Sequence, residues 1–120
     1  MTYAEKLKDP RWQRKRLEVM QRDKFACQFC GVTDQTLHVH HIKYFPNRDP
    51  WDYPKINLVT LCDACHEAEH NIREGAEAAL IEILKYHRFS AVDVLQLGNI
   101  ITDRIAFKPG AGTEFIRSLE

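Results

Sequence analysis

The sequence predicts a small α+β domain held by a structural zinc knuckle, and three observations carry that prediction. Four cysteines fall as two matched pairs, Cys27-x-x-Cys30 and Cys62-x-x-Cys65. Two short runs rich in β-branched residues, 37–42 and 58–61, read as strands. Apolar residues at helical spacing occupy the segments before and after them.

At 120 residues and 14.0 kDa the chain is expected to be a single domain, 1–120. Hydrophobic residues at 44% and charged residues at 28% are an ordinary globular mixture, which argues against disorder. Apolar stretches such as 78–81 fall far short of the roughly 20 residues of a membrane span. The opening Met1-Thr2-Tyr3-Ala4-Glu5-Lys6 has no apolar core of a secretory signal, so the expected location is cytoplasmic, with no membrane partner. Lys and Arg number 17, as do Asp and Glu, yet the balance is uneven. Residues 1–60 carry 11 basic and 7 acidic side chains, and residues 61–120 carry 6 and 10. The basic excess peaks at the start, around Arg11, Arg14, Lys15 and Arg16. It suits either a polyanion held at that end or a solvated helix face.

Taken in order, Asp9-Pro10 starts a helix, with Asp9 as cap and Pro10 at the first helical position. Trp12, Leu17, Val19 and Met20 supply its apolar positions. Residues 25–31 form a knuckle turn, with Gly31 relieving the backbone after the second thiolate. After the first strand, residues 43–56 hold Pro46, Pro50 and Pro54 among aromatics and read as a long ordered loop. Behind the second strand, Ala68, Ile72, Ala76, Ala79, Leu80, Ile83 and Leu84 predict one helix from about 63 to 88. Gly75 is its expected kink, at about 1 kcal/mol relative to Ala. Ser90-x-x-Asp93 opens another helix to about residue 105. Residues 108–112 make a turn, with a short helical tail from Thr113.

In a reducing compartment disulfides are disfavoured, and paired CxxC turns place four thiolates at tetrahedral zinc distances. A redox CxxC needs only one pair. Cys27, Cys30, Cys62 and Cys65 are therefore expected to bind one Zn²⁺ that supports folding of a domain with a modest core.

The other candidate ligands cluster around this knuckle in sequence. His40 and His41 end the first strand, Asn57 opens the second, and His66 follows the last cysteine. His66 and His70 lie one helical turn apart on one face and can hold one ion together; the bland alternative is a solvated pair. Cys65 and His66 point about 100° apart on a helix, so a second ion would sit beside the zinc.

Arg11-Trp12, Cys27-Gln28-Phe29-Cys30, Leu37-His38-Val39-His40-His41-Ile42 and the run Asn57 to His66 together resemble an HNH endonuclease, over about residues 9–73. The resemblance implies a small ββα-metal (HNH) core at 9–73 around one catalytic divalent metal, with an N-terminal helix and a C-terminal helical extension at 74–120. It implies His40 as a metal ligand, where many members carry Asp and the nuclease colicins His. By position it implies His41 as general base, Asn57 as the residue orienting loop and base, and His66 as the final ligand. His70 stands where the colicin-like branch has a third ligand. His38 and His87 are expected to be structural or surface residues.

Phosphodiester hydrolysis needs a deprotonated water and positive charge on the phosphate. An unligated imidazole titrates near neutrality and suits the first task. Neighbours on a regular strand point to opposite faces, so His40 and His41 share a site only where the strand ends or twists. The resulting reading is a DNA endonuclease with structural Zn²⁺ and a catalytic ion from among Mn²⁺, Ni²⁺, Co²⁺, Zn²⁺ and Mg²⁺. Arg14, Lys15, Lys43, Arg48 and Lys55 are candidate contacts to DNA phosphates. Tyr44, Phe45, Trp51 and Tyr53 are expected to stiffen the loop. A non-catalytic zinc-knuckle module binding nucleic acid is the alternative. A third reading has the acidic C-terminal helices reach a protein partner.

Overall fold

Asp9 accepts a hydrogen bond from the Arg11 N–H through its side chain, and Pro10 opens the first long helix as the sequence predicts. A computed structural model describes all residues, 1–120. The elements are α1 (Tyr3–Lys6), α2 (Pro10–Arg22), β1 (Leu37–His41), β2 (Leu58–Cys62), α3 (Asp63–Asn71), α4 (Arg73–Tyr86), α5 (Ala91–Arg104) and α6 (Ala111–Leu119). A single turn of 3₁₀ helix, Lys55–Asn57, leads into β2. The chain divides into two compact units, 1–66 and 67–120, and the division falls inside α3.

The first unit is the α+β core. Strands β1 and β2 pair antiparallel, with Leu37 opposite Cys62, Val39 opposite Thr60, and His41 opposite Leu58. Because side chains alternate along a strand, Leu37, Val39 and His41 share one face while His38 and His40 share the other. Trp12, Val19 and Met20 of α2 cover the first face, packing with Val39, Tyr53 and Leu58. Leu17 was expected on this apolar side but is exposed, because 3.6-residue spacing rotates it away from Trp12 and Val19. A second buried cluster joins Cys27, Val59, Leu61 and Cys62, flanked by Val32 and Leu37.

Asp23 fastens the helix to the sheet. Its buried carboxylate accepts from the Thr60 N–H at 3.0 Å and from both ends of the Arg22 guanidinium fork. Arg22 in turn donates to the carbonyls of Lys55 and Leu58. Burial pushes the Asp23 carboxyl up, but Arg22 and the Thr60 donors outweigh it and leave the pKa below the usual value.

The helix expected over 63–88 is interrupted, though at Ile72 and not at Gly75. Ile72 widens to φ −115°, which divides α3 from α4, while Gly75 stays helical. Ser90 and Asp93 form the capping box of α5, each side chain bonded to the other's backbone N–H. Gly110, at φ +76°, starts α6 slightly earlier than the sequence suggests. No helix is long and apolar enough to cross a membrane.

Candidate functional site

The knuckle brings the two cysteine pairs together. The Cys27 N–H donates to the Val32 carbonyl, the Gly31 N–H returns to the Cys27 carbonyl, and the Gln28 N–H bonds the Thr60 carbonyl beside Cys62. Gly31 adopts φ +82°, a left-handed conformation that a side chain would strain. The four sulfurs lie within 4.8 Å of one another, and those of Cys30 and Cys62 are 3.8 Å apart. Zinc–sulfur bonds of about 2.3 Å in a tetrahedron give an edge of about 3.8 Å, so the donor set fits Zn²⁺. Burial raises the Cys27 thiol, but donors from Cys30, Cys62 and Phe29 overcome it and bring the pKa to about 6. Burial and the neighbouring sulfurs raise the Cys65 thiol. Cys27 thus ionises more readily than an ordinary thiol and Cys65 less readily, an imbalance that a bound dication would relieve.

A second donor cluster lies on the opposite side of β1 from α2. His40, on β1, and His66 and His70, on α3, offer ring nitrogens within 4.8 Å of one another. Helix α3 starts at the knuckle with Cys65 beside His66, and the i,i+4 spacing puts His70 over His66 on the same helix. The imidazoles of His40 and His66 meet edge to face, with centroids 5.6 Å apart. Three imidazoles at this separation fit a divalent transition-metal ion.

His38, expected to be a structural or surface residue, lies on this face. Its ring stacks on that of His66, centroids 4.8 Å apart and planes 15° from parallel. Its Nε2 pairs with the Asp63 carboxylate at the start of α3. The signal was present in the sequence, since period-two alternation puts His38 and His40 on one face.

His41 points the other way. It is 3% exposed, stacks on Trp12, and lies against Tyr44 and Tyr53. Its Nε2 is 3.0 Å from the Pro50 carbonyl. A carbonyl can only accept, so Nε2 carries the hydrogen and a neutral ring keeps its lone pair on Nδ1. Burial lowers the pKa of His41, against the smaller opposing pull of the Pro50 carbonyl. The imidazole is therefore held neutral, with a basic nitrogen of defined position.

Asn57 closes the neck of the loop 43–56. Its Nδ2 donates to the Lys43 carbonyl at 2.7 Å, and its own carbonyl accepts the Ile42 N–H at 2.8 Å. Within the loop, the Tyr53 hydroxyl bonds both the N–H and the carbonyl of Phe45. Tyr53 is buried and Trp51 lies under the Arg11 guanidinium, whereas Tyr44 and Phe45 are exposed. Of the candidate phosphate contacts, Lys55 pairs with Glu18, and Lys43 and Arg48 both lie over the Phe45 ring.

No curated protein and no solved structure matches the chain. The family model described as HNH endonuclease matches residues 27–72. That segment contains the four cysteines, the histidine cluster, His41 and Asn57. Through it, residues 27–72 of the chain are similar to the HNH endonuclease family.

Proposed function

We propose that this chain is a metal-dependent endonuclease that hydrolyses DNA phosphodiester bonds, using His41 as general base and one catalytic divalent ion beside a structural Zn²⁺. The observation that carries the reading is the His40, His66 and His70 cluster, lying within the HNH segment that also holds Asn57 and His41. His40, His66 and His70 would hold the catalytic ion. When bound, it supplies positive charge to the phosphate and to the departing 3′ oxygen. Cys27, Cys30, Cys62 and Cys65 would hold the zinc, which fixes the end of β2 and the start of α3.

In this reading His41 takes the proton of the attacking water at Nδ1. The Pro50 carbonyl holds the opposite edge of the ring, and Trp12 its plane. Tyr44, 5.0 Å from His41 on the exposed side, is the group that yields to admit water and substrate. Asn57 keeps the loop neck closed, which fixes Pro50 and hence the base.

The test is cleavage of supercoiled plasmid by the purified chain with Mn²⁺, Ni²⁺, Co²⁺, Zn²⁺ and Mg²⁺ in turn. Nicked or linear product that disappears with chelator supports the proposal. Intact plasmid with every ion, from a preparation that binds DNA and carries zinc, would overturn it.

A further inference from the structure

The regular apolar stripe of the second helical unit faces solvent. Ile72, Leu80, Ile83 and Tyr86 are 62, 55, 53 and 77% exposed, and Ala76 and Ala79 lie between them, also exposed. At 100° per residue all six fall on one side of the helix that runs through α4. Helices α4, α5 and α6 bury no residue fully. A monomeric soluble protein rarely leaves so continuous an apolar face open.

We infer that this face of α4 pairs with the same face of a second copy of the chain, the two helices running antiparallel. Charge along the helix selects that occupant. Residues 73–79 carry Glu74 and Glu77 against Arg73, whereas 80–88, to just past the end of α4, carry Lys85 and Arg88 against Glu82. An antiparallel copy sets each acidic half beside a basic half, while a parallel copy would set like against like. Area agrees with this choice. A standard interface buries about 800 Å² per partner, of which about 57%, roughly 450 Å², is apolar. Four large apolar side chains at about 100 Å² apiece, with the two alanines, supply that amount. The small side chains of Ala76 and Ala79 let two helix axes approach closely at the centre. The contact is isologous, so it closes at two copies. It stands independently of the nuclease reading.

The experiment is light scattering behind size exclusion on the full zinc-loaded chain, at about 100 µM, where even an interface with Kd of about 10 µM is mostly formed. The expected mass is twice the 14.0 kDa of one chain. Ile83→Glu, which sets a carboxylate in the apolar contact beside the acidic half of the other copy, is expected to weaken association by at least about 100-fold and return the single-chain mass. Tyr86→Glu is expected to act in the same direction, and its exposure means that it removes little packing within the chain. Unchanged zinc content and helicity would show that both variants remain folded. A wild-type monomer, growth beyond two copies, or a dimer indifferent to both substitutions would overturn the inference.

Discussion

The indole of Trp12 lies nearly parallel to the imidazole of His41, with centroids 5.2 Å apart and planes 16° from parallel. One side chain thus serves as core filling for α2 and as the backing plate of the proposed base. Trp12→Ala is expected to destabilise the fold by about 3–5 kcal/mol, the usual cost of removing a buried aromatic. Trp12→Phe should restore most of both stability and cleavage. Thermal melts and plasmid cleavage on the two variants make the check, and equal cleavage by wild type and a folded Trp12→Ala would remove the ring from the mechanism.

His41→Ala should leave the fold and both metal sites intact while cleavage drops by about 10²–10⁴-fold. Burial lowers the His41 pKa, so the neutral, competent ring survives to lower pH than a free imidazole would. The acid limb of kcat/KM is therefore expected to fall below pH of about 6.5. A limb that is unchanged in an active His41→Ala variant would assign the base elsewhere.

For the cysteines, Cys62→Ala should lose zinc and melt at a much lower temperature, since metal binding counts directly towards folding. Metal analysis beside a melting curve decides this. Full zinc content with an unaltered melt would dismiss the four-sulfur site.

The three-imidazole cluster should favour Mn²⁺, Ni²⁺ or Co²⁺ over Mg²⁺, because imidazole is a softer ligand than carboxylate oxygen. His70→Ala is expected to weaken metal affinity more than it slows cleavage at saturating metal. His40→Asp should move the preference towards Mg²⁺. Cleavage rate against metal concentration for wild type and both variants provides the measurement. Best activity with Mg²⁺ together with an inert His70→Ala would reduce the site to His40 and His66.

Asp23 predicts an acid dependence of stability. Its folded pKa is depressed, so its contribution is complete above the unfolded value of about 4 and is lost as pH falls through the lower folded value. Asp23→Asn should melt lower at neutral pH, because it gives up a charge-assisted partner of Arg22, and should lose less stability below pH of about 4. Melting temperatures from neutral to acid pH test this, and parallel curves for the two proteins would discount Asp23 as the source.

Much of the core was legible because its signals are local. The Asp9-Pro10 start, the β-branched runs, Gly31 and the capping box at Ser90 each act through neighbouring residues. The break at Ile72 was missed because Gly75 carried the stronger propensity signal, while the observed interruption is a widened φ at a β-branched residue. Strand alternation pairs His38 with His40 on one face, where its ring stacks on His66 as a structural neighbour of the cluster. The adjacent histidines lie at the very end of β1, His40 beside His66 and His41 against Trp12, where the strand stops. The apolar period predicts the helical character of α4, but a period cannot say whether the chain itself covers the apolar side.

The strap at Asn57 makes the exposed tip of the loop 43–56 a separable part. Because Asn57 bonds Lys43 and Ile42 at the neck, the path of the chain beyond it does not set the register of β1 against β2. Lengthening a flexible closed loop is inexpensive, about 0.6 kcal/mol for each doubling. Insertions or grafts near the exposed tip, around Asn47, should therefore leave both donor clusters in place. For an engineer, that makes the tip a socket: new side chains can be set there while the scaffold stays the same.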